Sequence, residues 1–145
     1  MEMRVFGKTG MVVSVLGFGG AEIGFGKTNQ SEVDRILNSA LDSGCNVIDT
    51  AECYVDSEEK IGKAVGLRRK EYFLFTKCGH STGFEEPDWD PAMLSKQIDR
   101  SLSRLRTEYV DLIQLHSCTL ETLQSGGVIE VLQRAKEAGK AKFIG

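Results

Sequence analysis

Apolar and polar residues alternate along this chain with two different periods, and the switches between the periods mark out its elements. The segments MRVF and VVSV are strand-like and flank GKTG, where Gly10 can take the positive φ of a tight turn, so residues 3 to 15 read as a hairpin. A first parallel strand is expected near Val15 to Phe18. Val33, Ile36, Leu37, Ala40 and Leu41 then fall at i, i+3, i+4, i+7 and i+8, which is one apolar stripe of a helix; Asn29 or Ser31 can cap it and Gly44 can end it. The run NVIDT predicts a second strand, Ser57 to Val65 a short helix ended by Gly66, and YFLFT a third strand rich in β-branched and aromatic residues. After a long loop, Asp90 and Pro91 supply a cap and a first-turn proline for a helix that lines up Leu94, Ile98, Leu102 and Leu105. A fourth strand, YVDLIQL, a fourth helix near Val128 to Ala138 with Gly139 as its stop, and a fifth strand, KAKFIG, complete the series.

Alternation at this spacing predicts an α/β fold with a parallel sheet and right-handed helical crossovers. Two architectures satisfy it, an open doubly wound sheet and a closed (β/α)8 barrel of the TIM type. The dinucleotide fingerprint GxGxxG fails in LGFGGAEIGFG, because Gly17 and Gly19 are followed by Glu22 at the third position. A phosphate-binding P-loop ends correctly at Gly26, Lys27 and Thr28, but Ala21 stands where its leading glycine belongs.

Composition narrows the setting. With 145 residues and 41% hydrophobic content, the chain suffices for one compact domain that buries roughly 70% of its unfolded surface. A formal charge of −3 with scattered basic residues gives no nucleic-acid surface and no membrane-binding stripe. MEMRVFGKTG lacks the apolar core of a signal peptide, and no apolar run approaches the roughly 18 residues of a spanning helix, so a cytoplasmic location is expected. Cys45, Cys53, Cys78 and Cys118 form no CxxC pair and are expected as free thiols.

Candidate chemistry gathers at the ends of three successive strands. Asp49, Tyr54, Lys77 and His116 lie at or just beyond the C-terminal ends of NVIDT, YFLFTK and VDLIQLH, and parallel neighbours would bring them to one rim. Catalytic groups collect at that rim in α/β folds because the loops there are free to vary. A phenol with a pKa near ~10 needs a nearby cation to act as an acid at neutral pH. Lys77 can supply the cation, Asp49 can hold it charged and oriented, and His116 can direct an N–H at a substrate oxygen. Such a set protonates a carbonyl oxygen as hydride reaches carbon.

At these residues the chain resembles the aldo-keto reductase superfamily. The segments that carry the resemblance are RVFGKTGMVVSVLGFGG, VIDTAECYVDSEEKIGKAV, FLFTKCG, YVDLIQLHS and AKEAGKAKFIG, in family order across the whole chain. The resemblance implies a (β/α)8 barrel plugged at its bottom by the hairpin, and hydride transfer from NADPH to aldehydes or ketones. It implies a catalytic set of Asp49, Tyr54, Lys77 and His116, with Tyr54 as general acid, Lys77 and Asp49 as its tuning pair and His116 orienting the carbonyl. Gly19, Gly20 and Ala21, with Asp49, match the part of the family that approaches the cofactor.

Two departures from the family pattern stand out. Many relatives have glycine after the catalytic tyrosine, where this chain has Val55. A barrel of this kind takes ~250 residues, whereas residues 1 to 145 reach only the hairpin, about four β/α units and a fifth strand. An incomplete barrel leaves strand edges and an inner face without partners, so a homodimer or a complementary C-terminal half is expected alongside the small carbonyl substrate. Two competing expectations come from other classes. Cys53, Cys78 and Cys118 with His116 or His80 would form a metal or redox cluster, although their spacing imposes no ligand geometry; or the half barrel would be a non-catalytic module that binds a partner through its open edge. His80 is otherwise a lone loop histidine.

Overall fold

The computed structural model describes all residues from Met1 to Gly145. Strands β1 (Met3–Val5) and β2 (Val12–Ser14) form an antiparallel hairpin in which Met3 faces Ser14, and Gly10 at φ +76° turns the chain between them. There follow β3 (Phe18–Gly19), α1 (Ala21–Phe25), α2 (Gln30–Asp42), β4 (Val47–Asp49), α3 (Ser57–Val65) and a 3-10 segment (Gly66–Glu71). Then come β5 (Phe73–Cys78), α4 (Pro91–Leu105), β6 (Val110–Leu115), α5 (Leu120–Gln124), α6 (Gly127–Glu137) and β7 (Ala141–Ile144). No helix is long and apolar enough to cross a membrane.

Strands β3 to β7 make one five-stranded parallel sheet in sequential order, β3-β4-β5-β6-β7. A doubly wound sheet reverses its strand order at a switch point and carries helices on both faces; this sheet does neither. Its outer face packs Ile48, Leu74 and Ile113 against Val33, Leu37, Ile61, Leu94, Ile98 and Leu132 of the helices. The inner face is a separate small cluster of Val47, Phe75 and Leu112, covered by Met11 and Val13 of the hairpin. Such a one-sided, singly wound sheet is the wall of a barrel, and the hairpin closes the end of it where the strands begin. Asn46, just before β4, fixes the hairpin there: its side chain accepts from Ser14 N at 2.7 Å and donates to the Val12 carbonyl at 3.0 Å.

Local chemistry explains the helix boundaries. Asn29 is the cap of α2, with a reciprocal capping box in which it accepts from Glu32 N at 3.0 Å and Glu32 accepts from Asn29 N at 3.1 Å. Asp90 caps α4 through bonds from Ala92 N and Met93 N, with Pro91 in the first turn. Three expectations shift. The first parallel strand is Phe18–Gly19, because Ser14 Oγ donates to the Leu16 carbonyl and bends Val15 and Leu16 out to solvent. Gly66 keeps a helical φ of −55° and leads into the 3-10 segment instead of stopping the chain. The short helices α1 and α5 carry too few residues for a periodic stripe to register.

A carboxylate is buried in the outer layer. Glu58, 1% exposed, accepts a hydrogen bond from Thr76 Oγ1 at 2.7 Å, while its Oε2 has no partner and Arg104 stands 3.9 Å away. Burial pushes its pKa up to about 7, against the hydrogen bonds that favour its anion. The folded chain therefore binds a proton here that the unfolded chain releases near its lower, ordinary pKa. Stability from this group is present at pH below the ordinary glutamate range and is lost as pH rises toward 7. The expected outcome is that urea unfolding shows stability falling between about pH 4.5 and 7, and that Glu58→Gln removes up to ~3 kcal/mol of that fall; identical pH slopes in the two proteins would contradict the burial of this carboxyl group.

Candidate active site

Parallel register sets the site. Asp49 closes β4, and Lys77 lies one residue before the end of β5 on the same inner face. His116 follows the last residue of β6, with its backbone N–H bonded to the Cys78 carbonyl at 2.8 Å. Tyr54 sits on the loop between β4 and α3. All four lie at the end of the sheet opposite the hairpin.

Lys77 is the junction of the group. Its Nζ donates to Asp49 Oδ2 at 2.6 Å and to the Thr50 carbonyl at 2.8 Å, and stands 5.7 Å from the centre of the Tyr54 ring. Two of its three protons are thereby committed to the end of β4 and the start of the tyrosine loop. The His116 ring meets Tyr54 edge-on at 5.6 Å and 80°, and its Nδ1 is 3.3 Å from Cys53 Sγ. Burial, then the Cys53 thiol and the Asp49 carboxylate, hold the Tyr54 phenol above its ordinary pKa, so it keeps its proton at neutral pH. Burial, then His80 and Lys77, lower the pKa of His116 and favour the neutral imidazole.

The glycines expected near a cofactor line the neighbouring strand end. Gly19 pairs with Asp49, and a side chain there would meet nothing within 4 Å; Gly20 N donates to the Asp49 carbonyl at 2.7 Å. Ala21 begins α1, whose Phe25 ring lies 5.5 Å from Tyr54. Helix α1 presses on the tyrosine loop so closely that a Cβ on Gly24 would stand 2.1 Å from the Tyr54 carbonyl oxygen. Ser57 Oγ and Lys60 Nζ bind the Gly20 and Ile23 carbonyls at 2.7 and 2.8 Å and hold α1 in that place.

Several site residues escaped the sequence. Glu52, two positions before Tyr54, is 2% exposed and pairs with Arg100 and with Arg104 at 3.0 Å, yet burial still raises its pKa. Gln97, fully buried in α4, donates to Glu52 Oε2 at 3.2 Å and to the His80 carbonyl, and accepts from Gly79 N at 2.9 Å. It therefore ties the β4–α3 and β5–α4 loops together. Trp89 Nε1 donates to the His116 carbonyl at 3.2 Å, and its ring fills the space beside Gly79. A signal did exist for α4: Gln97, Ser101 and Arg104 interrupt its apolar side at helical spacing.

His80 bonds Asp88 through Nδ1 at 3.0 Å and meets the His116 ring edge-on at 4.8 Å. The cysteines do not converge. Cys78 is buried in the outer core and burial pushes its thiol up to about 12, Cys45 is buried on Leu16, and only Cys53 reaches a histidine. No group of three or more His, Cys, Asp or Glu residues is arranged to hold a metal ion.

Left-handed residues follow both ring-bearing groups, Val55 at φ 49° after Tyr54 and Ser117 at φ 52° after His116. For an exposed β-branched valine this conformation costs ~1–2 kcal/mol, which is the physical reason a glycine suits the position. Val55→Gly is expected to stabilise the chain by ~0.5–1 kcal/mol in urea unfolding, after the greater freedom of unfolded glycine is subtracted; a loss of stability would show that the loop does not hold the left-handed turn.

The model of the Aldo/keto reductase family matches residues 15–145. L-galactose dehydrogenase from Arabidopsis thaliana is 35% identical over the whole chain, which covers 48% of that protein, and an uncharacterised oxidoreductase from Bacillus subtilis is 34% identical with the same coverage. An aldo-keto reductase structure from Bacillus halodurans superposes with a TM-score of 0.88 at 33% identity, over 100% of this chain and 49% of that one. A structure of the putative aldo-keto reductase from Pseudomonas aeruginosa gives 0.89 at 32% identity, over 99% of this chain and 57% of that one. The chain spans about half the length of the curated relatives it matches, and its five-stranded sheet is the corresponding part of their (β/α)8 barrel. The family model, the relatives and the shared fold show that the chain belongs to the aldo-keto reductase family.

Proposed function

We propose that the chain forms the acid–base side of an NADPH-dependent oxidoreductase that reduces aldehydes and ketones to alcohols, with Tyr54 as general acid. The observation that carries the proposal is the meeting of Asp49, Lys77, Tyr54 and His116 on one rim, with the phenol protonated and the imidazole neutral. The open backbone at Gly19 and the half-exposed Asp49 carboxylate fit the ring end of a nicotinamide cofactor, beside Gly20 and Ala21. That cofactor, when bound, supplies the hydride.

The chain's own residues supply the rest. His116 donates an N–H to the carbonyl oxygen and fixes its direction. Tyr54 Oη releases its proton to the same oxygen as the C=O π electrons move onto it, which completes the alcohol. Lys77, close to the phenol ring and held in place by Asp49, stabilises the phenolate left behind until solvent returns the proton. A cytoplasmic setting is in keeping with four unpaired thiols.

A second reading has its own support. β3 and β7 each pair on one side only, and an unpaired strand edge favours strand addition by a second copy or by a complementary half. In that reading the chain is a self-associating or partner-binding module without turnover of its own.

Aldehyde-dependent NADPH consumption separates the two. Tyr54→Phe is expected to lower kcat/KM by ~10²–10⁴, and the wild-type rate to hold from neutral pH until it falls above the ordinary tyrosine range as the phenol ionises. An equal rate in Tyr54→Phe would contradict the proton-donor role. No turnover together with a dimer in sedimentation would favour the module.

A further inference from the structure

Cys53 takes no step in the proposed reaction, yet it lies in the most constrained part of the site. It lies between Glu52, which is locked to Arg100, Arg104 and Gln97, and Tyr54, whose carbonyl is pressed by α1. Its thiol is half-buried, and Sγ is 3.3 Å from Nδ1 of His116. That is the one side-chain hydrogen bond that the His116 ring makes. The ring's other neighbours, Tyr54 at 5.6 Å and His80 at 4.8 Å, meet it through ring edges and faces.

A neutral imidazole has one N–H, and the partner of one nitrogen decides which nitrogen carries it. A thiol is a weak donor and a weak acceptor, so the contact admits S–H donating to Nδ1, Nδ1–H donating to sulfur, or a thiolate–imidazolium pair. The pair is excluded by its surroundings: burial and Glu52 raise the pKa of Cys53, while burial and two nearby cation-forming groups lower that of His116. Both groups are therefore neutral, which leaves the two neutral forms, and because a ring nitrogen accepts better than a thiol sulfur, S–H donating to Nδ1 is the favoured one.

We propose that Cys53 is a positioning residue that fixes the tautomer and ring orientation of His116, donating S–H to Nδ1 so that the ring proton sits on Nε2. Nε2 is then an N–H donor at the rim, the form that the orienting role under the proposed function requires, and the inference rests on that role for its meaning. Its test does not. The backbone also supports the ring: Trp89 Nε1 and the Cys78 carbonyl fix the His116 main chain on both sides, so loss of the thiol frees only the side chain.

The test is nitrogen NMR of the histidine rings in the 145-residue chain, without cofactor or substrate. With two histidines in the chain, His80→Gln assigns the His116 signals. In the wild type Nε2 is expected to carry the proton, with Nδ1 showing the shift of a hydrogen-bonded acceptor. Cys53→Ser should retain this pattern, since a hydroxyl also donates. Cys53→Ala and the bulkier Cys53→Val should lose the acceptor shift and show a second tautomer in exchange, with backbone amide spectra that otherwise overlay the wild type. An Nδ1-protonated ring in the wild type would overturn the proposal without any variant, as would unchanged ring nitrogens in a folded Cys53→Ala or Cys53→Val. Absence of carbonyl reduction would leave these spectra as they are, so failure of the functional proposal and failure of this one are separate results.

Discussion

The bond between Lys77 and Asp49 spans two adjacent strands, and the rest of the rim is arranged around it. Parallel pairing brings the ends of β4 and β5 side by side, but it does not by itself decide where the loop beyond β4 goes. The ammonium does, because it also binds the Thr50 carbonyl and so holds the first residue of that loop against β5. Tyr54 is four residues further on. With side chains 17% and 39% exposed, the ion pair is partly screened and contributes at most ~1 kcal/mol to stability. Its importance is geometric: it places one positive charge beside a phenol, and one negative charge where it disfavours the phenolate.

The same loop is held from its other side by charges of a different kind. Glu52 points outward beneath α4, where Arg100, Arg104 and Gln97 satisfy it, while Cys53 and Tyr54 turn back toward the rim. Breaking such a buried network by removing one partner leaves an uncompensated charge, which is far more damaging than loss of a surface pair. The inner pair therefore places charge beside the phenol, and the outer network gives the loop its rigidity. Gln97 extends that rigidity to Gly79 and His80, so the two loops flanking Lys77 act as one body.

How much of this was legible in the sequence depended on whether the determinants were local. Helices α2 and α4 announced themselves through stripes and caps, since Asn29 with Glu32 and Asp90 with Pro91 are contiguous signals. Strands β4 to β7 were legible from runs of β-branched and aromatic residues, and a rim of four polar residues followed from where those runs end. β3 starts three residues and ends one residue later than expected, because a side-chain bond from Ser14 to Leu16 bends the chain there. The choice between barrel wall and doubly wound sheet was not available from periodicity; it depends on strand order. Glu52, Gln97, Arg100 and Trp89 were invisible as a group because they come from separate segments that meet only once α4 has packed on α3 and β5. Cys53 was noticed as a thiol, but its contact with His116 depends on the left-handed turn at Val55 and the seating of the loop.

Burial first, then the Cys53 thiol and the Asp49 carboxylate, hold the Tyr54 phenol protonated on a rim where Lys77 is paired with Asp49. The most direct measurement is an NMR titration of ring-labelled tyrosine in the wild type and in Asp49→Asn. Tyr54 is expected to ionise above the ordinary tyrosine range, and removing the Asp49 charge to bring it part of the way down, while Tyr72, raised by burial away from Asp49, does not respond. A Tyr54 that titrates like a free tyrosine and ignores Asp49 would contradict this.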